Sequence, residues 1–297
     1  MYIGSRQLIR HFAFGFVLVC AGFAARAEPV LQLSSNLVWQ RSDPWFGGFS
    51  GAEVNANGSR ITLLTDKSTF VVAQMIRDHG TLTGLQVQRH IPLKHADESN
   101  FKDADADSEG LAIGRDGAIY LSFERVTRVV RLSPETGATR VLPLHPDFAT
   151  YGLNKGLEAL AIHPNGTLYT LPERSASRRT AFPLFAFAAG RWRVAYNIPR
   201  RGPFLTVGAD FDSAGRLYLL ERAVSPLGFR SRIRRFDLDA ADLGETTLLT
   251  TGPGRFDNLE ALSVWQDRAG TRHLTLISDD NFLSIQRTQI VEFTLTE

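Results

Sequence analysis

The sequence contains one unit that recurs five times, and this repeat constrains the fold more than any other feature. Each copy has an acidic residue in a short apolar stretch, a turn with glycine, and a second apolar stretch that ends in another acid. Self-similarity at a period near fifty residues is typical of propellers and other repeat architectures. The first acids are Glu53, Glu109, Glu158, Asp210 and Glu260. The second acids are Asp66, Glu124, Glu173, Glu221 and Asp279.

Each unit also carries the signals of a four-stranded sheet. Asn57-Gly58, Asp116-Gly117 and Asn165-Gly166 are dipeptides that favour tight hairpin turns, because both central residues need a positive φ. Two more strand-like stretches follow the hairpin in three copies: residues 128–132 and 139–144 in the second, 183–188 and 192–198 in the third, and 233–238 and 246–250 in the fourth. Four antiparallel strands per repeat describe a propeller blade. We therefore predict an all-β propeller with five four-stranded blades, and a sixth, degenerate blade is the structural alternative.

The two ends of the chain predict how the ring closes. One strand, residues 289–296, follows the last hairpin, and one strand, residues 31–39, precedes the first unit. The N-terminal strand should pair with the C-terminal blade and complete it, which hides the edges that an open array would expose. We expect residues 28–297 to form a single propeller domain and the protein to be a monomer.

The first 27 residues have the pattern of a secretory signal peptide. Arg6 and Arg10 precede an apolar stretch at residues 12–23, and Ala25-Arg26-Ala27 provides a small-x-small cleavage site. An uncleaved anchor is the alternative. No later apolar run approaches the length of about 20 residues that a membrane helix needs. The sequence thus predicts a periplasmic or secreted protein with no membrane insertion after cleavage.

Removal of the leader changes the charge of the chain. The full sequence has 33 basic and 31 acidic residues, and the leader contains three arginines and no acid, so the mature chain has 30 against 31 and a net charge of −1. Such a chain has no global basic field that would attract nucleic acid. The only cysteine, Cys20, lies in the leader, which excludes disulfides and a thiol nucleophile in the mature protein.

The repeated acids predict a metal site. The innermost strand of each blade lines the channel of a propeller, so the first acids should form a ring at one mouth, and the second acids should return to the same mouth because a hairpin reverses the chain. Carboxylates that converge in this way raise each other's pKa unless cations offset the charge. Hard divalent cations with oxygen ligands, above all Ca²⁺, satisfy that need. The alternative is that the acids are structural and hydrogen-bond the backbone of the next blade.

Basic residues accompany both rings. Lys67, Arg125, Arg174 and Arg222 each follow a second acid directly, although alternation along a strand can turn them away from the channel. Lys155, three residues before Glu158, lies in a predicted loop, so the alternation of side chains along a strand does not apply to it. Mixed carboxylates and cations suit a small anionic or ester substrate, and the candidate catalytic residues are Glu158, Glu260 and Lys155.

Three aspartates offer a further, looser Ca²⁺ site. Asp103, Asp105 and Asp107 have the spacing that opens an EF-hand loop. Ser108 stands where that loop needs glycine, and Gly114 stands where it needs a bidentate glutamate. An EF-hand is therefore excluded, and a less regular site remains open.

The repeats resemble a known family. Five stretches are similar to the phytase-like domain family of exported bacterial proteins, which is also described by the esterase-like activity of phytase. They are residues 49–53 (Phe-Ser-Gly-Ala-Glu), 107–112 (Asp-Ser-Glu-Gly-Leu-Ala), 156–161 (Gly-Leu-Glu-Ala-Leu-Ala), 258–262 (Asn-Leu-Glu-Ala-Leu) and 276–282 (Leu-Ile-Ser-Asp-Asp-Asn-Phe). The resemblance covers nearly all of residues 40–297. It implies a propeller, export, and hydrolysis of phosphate or carboxyl esters.

These observations lead to one functional hypothesis and two alternatives. The first is a metal-dependent hydrolase of phosphoesters or carboxylesters that uses Ca²⁺. The others are a non-catalytic propeller that binds a ligand or a protein at the same mouth, and a Ca²⁺-dependent lactonase.

Overall fold

The described part of the chain consists almost entirely of β-strands. The structure is a computed structural model, and it describes Met1 and residues 28–102, 105–152 and 155–297. The predicted leader, beyond Met1, lies outside these residues. The first ten strands are β1 (Val30–Val38), β2 (Phe49–Val54), β3 (Arg60–Thr65), β4 (Thr69–Asp78), β5 (Thr81–Pro92), β6 (Ser108–Ile113), β7 (Ile119–Phe123), β8 (Arg128–Leu132), β9 (Thr139–Val141) and β10 (Leu157–Ile162). The other ten are β11 (Leu168–Pro172), β12 (Phe182–Ala188), β13 (Arg191–Ile198), β14 (Leu205–Phe211), β15 (Leu217–Ser225), β16 (Gly228–Phe236), β17 (Thr246–Thr250), β18 (Asn258–Gln266), β19 (Arg272–Asp279) and β20 (Gln289–Thr296).

The strands form five antiparallel sheets of four strands each, and these sheets are the five blades of a propeller. Blades one to four are β2–β5, β6–β9, β10–β13 and β14–β17, and blade five consists of β18, β19, β20 and β1. This confirms the predicted five-bladed fold. A 3-10 helix at Pro146–Thr150 lies between blades two and three, and no helix in the described part of the chain has the length and apolarity of a membrane span.

The N-terminal strand closes the ring, as the sequence predicts. β1 pairs antiparallel with β20 along its whole length, from Val30 opposite Thr296 to Val38 opposite Gln289. This pairing joins the two ends of the described chain in one sheet. The ring therefore cannot open without breaking a complete strand ladder.

The hydrophobic core is divided among the interfaces between blades. One cluster of buried apolar side chains lies at each of the five interfaces, for example around Phe49 and Ile277 between blades one and five, and around Phe123 between blades one and two. Each buried Leu, Ile or Phe side chain contributes about 1.5–3 kcal/mol to stability. The blades are thus held to their neighbours mainly by apolar packing.

A β-bulge near the start of each innermost strand sets the register of the repeat. The pairing with the second strand slips at these points. The extra residue at each bulge is Ser50, Glu109, Val207, Glu158 or Glu260. The next residue in every blade is glycine or alanine: Gly51, Gly110, Ala159, Gly208 and Ala261.

These small residues let the innermost strands approach closely around the axis. A Cβ atom on Gly110 would lie 2.6 Å from the Cβ of Leu160, and one on Gly208 would lie 2.7 Å from the carbonyl oxygen of Glu260. The channel narrows there to a waist with a free volume of about 10 Å³. The waist separates the upper mouth, where the innermost strands begin, from the lower mouth, where they end.

Candidate metal centre

The bulges bring three of the five predicted first acids to the upper mouth. Glu109, Glu158 and Glu260 occupy the bulge position, whereas blades one and four have Ser50 and Val207 there. Glu53 and Asp210 lie three residues further along their strands, which at about 3.3 Å per residue is about 10 Å towards the lower mouth. The prediction of a five-membered ring is therefore wrong for Glu53 and Asp210.

Glu53 and Asp210 instead join neighbouring blades. Glu53 accepts a hydrogen bond from the backbone N–H of Ile113 in blade two (3.3 Å). Asp210 accepts one from the backbone N–H of Val264 in blade five (2.6 Å). The structural interpretation of the acids applies to these two residues.

The second acids also divide into two groups. Asp66, Glu124 and Glu173 directly follow the second strands of their blades at the upper mouth, and Asp279 is the last residue of its strand there. Glu221 lies one residue earlier in its blade, opposite Thr206, so its side chain points into the blade. It is fully buried and binds Arg232 and Arg234, each at 2.6 Å. The predicted ligand role of Glu221 is therefore wrong, because alternation along the strand gives its place at the mouth to Arg222.

Four of the seven predicted acids that remain form, together with Asp107, two groups that could each hold a cation, whereas Asp66, Glu260 and Asp279 belong to neither group. In the first group, Glu124, Glu158 and Glu173 each have one carboxylate oxygen within 4.8 Å of the others. In the second group, Asp107, Glu109 and Glu124 meet the same distance. Glu124 belongs to both groups. Of the three aspartates with EF-hand spacing, Asp107 thus reaches the centre, while Asp105 faces His95 at 3.5 Å and Asp103 lies outside the described residues.

Arg222 neutralises the opposite side of the mouth. It donates hydrogen bonds to Glu173 (3.1 Å) and Asn258 (2.9 Å), and it contacts Glu260 closely. Asn258 donates a second hydrogen bond to Glu260 (2.7 Å). Burial opposes the charge on Arg222, but the surrounding carboxylates, Glu260 first, raise its pKa. Glu260 and Glu173 are therefore already paired with arginine, whereas no cationic side chain among the described residues forms an ion pair with Glu109 or Glu158.

The electrostatics of the mouth favour a bound cation. Burial, followed by repulsion from neighbouring carboxylates, raises the pKa of Glu109 and Glu158 well above the usual range. Burial likewise raises the pKa of Asp66 and Glu124 to about 7 and that of Asp279 to about 8. Desolvation and like charges disfavour the ionised form of these groups, and a bound cation would favour it.

The donor set fits a hard divalent cation. All of its atoms are carboxylate oxygens, the ligands that Ca²⁺ prefers. A further carboxylate oxygen at the same mouth, Asp66 Oδ1, belongs to neither group, is buried and lacks a hydrogen-bond partner within the described residues. A buried oxygen without a donor is costly to leave unpaired, and a cation would satisfy it.

A groove of about 920 Å³ opens from the upper mouth between blades three and four. Its cationic lining residues are Lys155, Arg174, Arg178, Arg200 and Arg222. The Nε of Arg200 is buried there and has no hydrogen-bond partner in the described part of the chain. The groove therefore places positive charge beside the carboxylates, as an anionic substrate would require.

The other predicted basic residues have different roles. Arg174 binds Glu173 at 2.7 Å, and Arg125 binds Asp107 at 3.2 Å. Lys67 lies over the ring of Phe282, 3.1 Å from its centroid. These contacts hold the rim of the mouth, and among the residues that follow a second acid only Arg222 reaches its centre.

Fold and site together define a five-bladed propeller with a cluster of carboxylates at one mouth of its channel. The family model described as "Phytase-like: Esterase-like activity of phytase" matches residues 44–282. The chain belongs to this family, which confirms the resemblance seen in the repeats. A search of curated proteins found no significant match.

Several solved structures are similar in shape and distant in sequence. They include the PQQ-bound aldose sugar dehydrogenase from Streptomyces coelicolor (13% identity, TM-score 0.47, 88% of this chain and 98% of that one). A virginiamycin B lyase from Staphylococcus aureus matches with 14% identity and a TM-score of 0.44 over 91% of this chain and 100% of that one. A gluconolactonase from Xanthomonas campestris matches with 16% identity and a TM-score of 0.43 over 82% of this chain and 72% of that one. Similarities of this size carry no argument about the reaction.

Proposed function

We propose that the upper mouth binds Ca²⁺ and that the protein is a metal-dependent hydrolase of phosphoesters. The observation that carries this proposal is the group of Glu124, Glu158 and Glu173, whose oxygens lie within 4.8 Å of one another beside a groove lined by arginines. The carboxylates supply hard ligands, and the groove supplies the charge that an anionic ester needs. Membership of the phytase-like family supports the same reaction class.

Each residue at the mouth has a part in this proposal. Glu124, Glu158 and Glu173 would hold the cation, which when bound supplies Lewis-acid polarisation of the ester. Glu109 belongs to the other carboxylate group, which shares Glu124 with this one. No hydrogen-bond donor among the described residues contacts its side chain. Its raised pKa suits it to take a proton from the attacking water.

The cationic residues would bind the substrate. Arg222 is held in place by Glu260 and Asn258 and borders both the mouth and the groove. Lys155 and Arg200 line the groove further out. Guanidinium groups bind phosphate oxygens in pairs of hydrogen bonds and stabilise negative charge as it develops. In this assignment Glu260 positions Arg222, and Glu158 is a metal ligand.

The groove favours a phosphoester over a neutral carboxylester or a lactone, because only an anionic substrate can pair with its cationic side chains. We also propose that the protein acts in the periplasm or outside the cell, on the basis of the leader in residues 1–27. Its action there on a small anionic ester requires neither nucleic acid nor insertion in a membrane.

The test uses the mature chain after treatment with a chelator. Thermal melts with and without Ca²⁺ measure stabilisation by the metal, and hydrolysis of p-nitrophenyl phosphate and p-nitrophenyl butyrate measures the reaction. We expect Ca²⁺ to raise the melting temperature and to restore hydrolysis of the phosphate ester, because a ligand that binds only the folded state stabilises it. Glu158→Gln should lose both effects, and Glu109→Gln should lose hydrolysis but keep the stabilisation.

The matched control is Glu135→Gln, at an exposed loop residue away from the mouth, which should behave as the unchanged protein does. If Ca²⁺ stabilises the fold and neither ester is hydrolysed, the protein is a binding module. If butyrate or a lactone is hydrolysed in preference to phosphate, the proposed substrate class is wrong.

A further inference from the structure

The lower mouth contains a second cavity, with a volume of about 450 Å³, to which all five blades contribute. It lies beyond the narrow waist of the channel, at the opposite end from the carboxylate cluster. Glu53 and Asp210 form its floor, and behind them Ser263 Oγ donates a hydrogen bond to Glu53 (3.4 Å). A pocket of this size accommodates a small organic molecule.

The fold does not require acids at this floor. The same position of the repeat is Ala112 in blade two, Ala161 in blade three and Ser263 in blade five. Those blades close the ring without a carboxylate. The floor therefore carries acids in only two of the five blades, where each acid also hydrogen-bonds the backbone of a neighbouring blade.

The two acids destabilise each other when the cavity contains no positive charge. Burial, together with the nearby Asp210, raises the pKa of Glu53, and burial raises the pKa of Asp210 to about 7. Each carboxylate accepts backbone hydrogen bonds, but these do not remove the repulsion between them. A positively charged group on the floor would do so.

The rim of the cavity carries the opposite charge. Arg60 and Arg115 line it, both are exposed, and neither forms an ion pair with a described residue. Arg272 also lines it but already pairs with Asp212, another lining residue, and with Glu297. The cavity thus has a negative floor and two available arginines at its edge.

We propose that the lower mouth is a binding site for a small zwitterion, with a primary ammonium group on Glu53 and Asp210 and a carboxylate or other anionic group on Arg60 and Arg115. The ammonium group donates three hydrogen bonds, which the oxygens of the two carboxylates can accept. The site is separate from the upper mouth and does not depend on the proposed hydrolysis.

Binding to the mature, Ca²⁺-loaded protein is measured by isothermal titration calorimetry. The probes are β-alanine, 4-aminobutyrate and 6-aminohexanoate, with butylamine, butyrate and glucose as controls. At least one amino acid should bind about tenfold more tightly than the amine or the carboxylate, because each of those makes half of the contacts. If none of the amino acids binds with a Kd below about 10 mM, or if glucose binds as well as they do, the proposal is overturned.

Two variants separate a ligand site from a structural contact. Glu53→Gln keeps an acceptor for Ile113 N–H and removes the repulsion with Asp210, so it should raise the melting temperature of the unliganded protein while it abolishes zwitterion binding. Glu292→Gln is the matched control, because Glu292 is buried and binds Arg77 at 2.6 Å, and its melting temperature should fall. If Glu53→Gln loses as much stability as Glu292→Gln, Glu53 only joins blades and the proposal fails.

Discussion

The stability of the metal-free protein should fall as the pH rises from 5 to 8. Burial raises the pKa of Asp66 from 3.8 to about 7, and that of Asp279 from 3.8 to about 8. A carboxyl group whose pKa is raised in the folded state does not lower the free energy of unfolding at a pH below its unfolded-state pKa near 4. Above that pH the free energy of unfolding falls until the pH exceeds the folded-state pKa. Each unit of pKa shift corresponds to about 1.36 kcal/mol, so the ionisation of Asp66 alone would lower the free energy of unfolding by about 4 kcal/mol at pH 8 as an upper bound.

The measured decrease in the free energy of unfolding will be smaller than the sum of the decreases calculated for each carboxylate separately, because the groups titrate together. Glu297 has the opposite effect on stability, because its arginine partners overcome the effect of burial and hold its pKa at about 2. The stability that its ionised form contributes is already present at pH 5, so it does not change between pH 5 and pH 8. Bound Ca²⁺ removes the repulsion and should therefore stabilise the protein more at pH 8 than at pH 5. Urea unfolding at both pH values, with chelator and with Ca²⁺, measures the four free energies.

The control for this experiment is the Ca²⁺-loaded protein, whose free energy of unfolding should vary less between the two pH values. Equal stability of the chelated protein at pH 5 and pH 8 would refute the electrostatic reasoning. An equal gain from Ca²⁺ at both pH values would refute it as well, because the gain is assigned to the carboxylates that ionise in between.

Three further predictions concern single residues. Arg222→Ala leaves Glu260 and Glu173 without their cation and should cost about 3–5 kcal/mol in urea unfolding, with part of the loss restored by Ca²⁺; a loss below 1 kcal/mol would contradict this. Glu221→Gln should cost a similar amount by breaking its buried pairs with Arg232 and Arg234, and calorimetry should show unchanged Ca²⁺ affinity. Gly110→Ala should cost about 1–3 kcal/mol through overpacking at the waist, and unchanged thermal stability would show that the innermost strands can move apart.

The sequence predicted the blades because each signal was local and repeated. Hairpin dipeptides and alternating apolar stretches lie within one unit, and the predicted strands at residues 128–132 and 246–250 coincide with β8 and β17. Closure by the N-terminal strand followed from counting strands at the two ends. The boundaries were less accurate where strands run on into turns: β16 begins at Gly228, five residues before the predicted start.

The candidate site was predicted less well, because it depends on register. Matching the repeats by their first acid shifted blades one and four by three residues and placed Glu53 and Asp210 at the wrong mouth. The small residue after the bulge is the better guide, since it aligns Ser50-Gly51 and Val207-Gly208 with Glu109-Gly110. A slip of one residue reverses the direction of a side chain in a strand, which is why Glu221 and Arg222 exchanged roles.

Some residues of the site have no clear signal in the sequence. Arg200 lies in a loop between blades three and four and reaches the groove only through the fold. Asn258 precedes Glu260 by two residues, as Asp107 precedes Glu109, and this spacing is the one signal that could have identified it as part of the mouth.

Calorimetry of Ca²⁺ binding to the chelator-treated mature chain decides whether the upper mouth is a metal centre. Glu124 belongs to both carboxylate groups of the upper mouth, so we expect that the unchanged protein binds Ca²⁺ and that Glu124→Gln does not. Glu53→Gln, at the lower mouth, should bind Ca²⁺ as the unchanged protein does. Normal binding by Glu124→Gln, or loss of binding by Glu53→Gln, would contradict the placement of the metal centre.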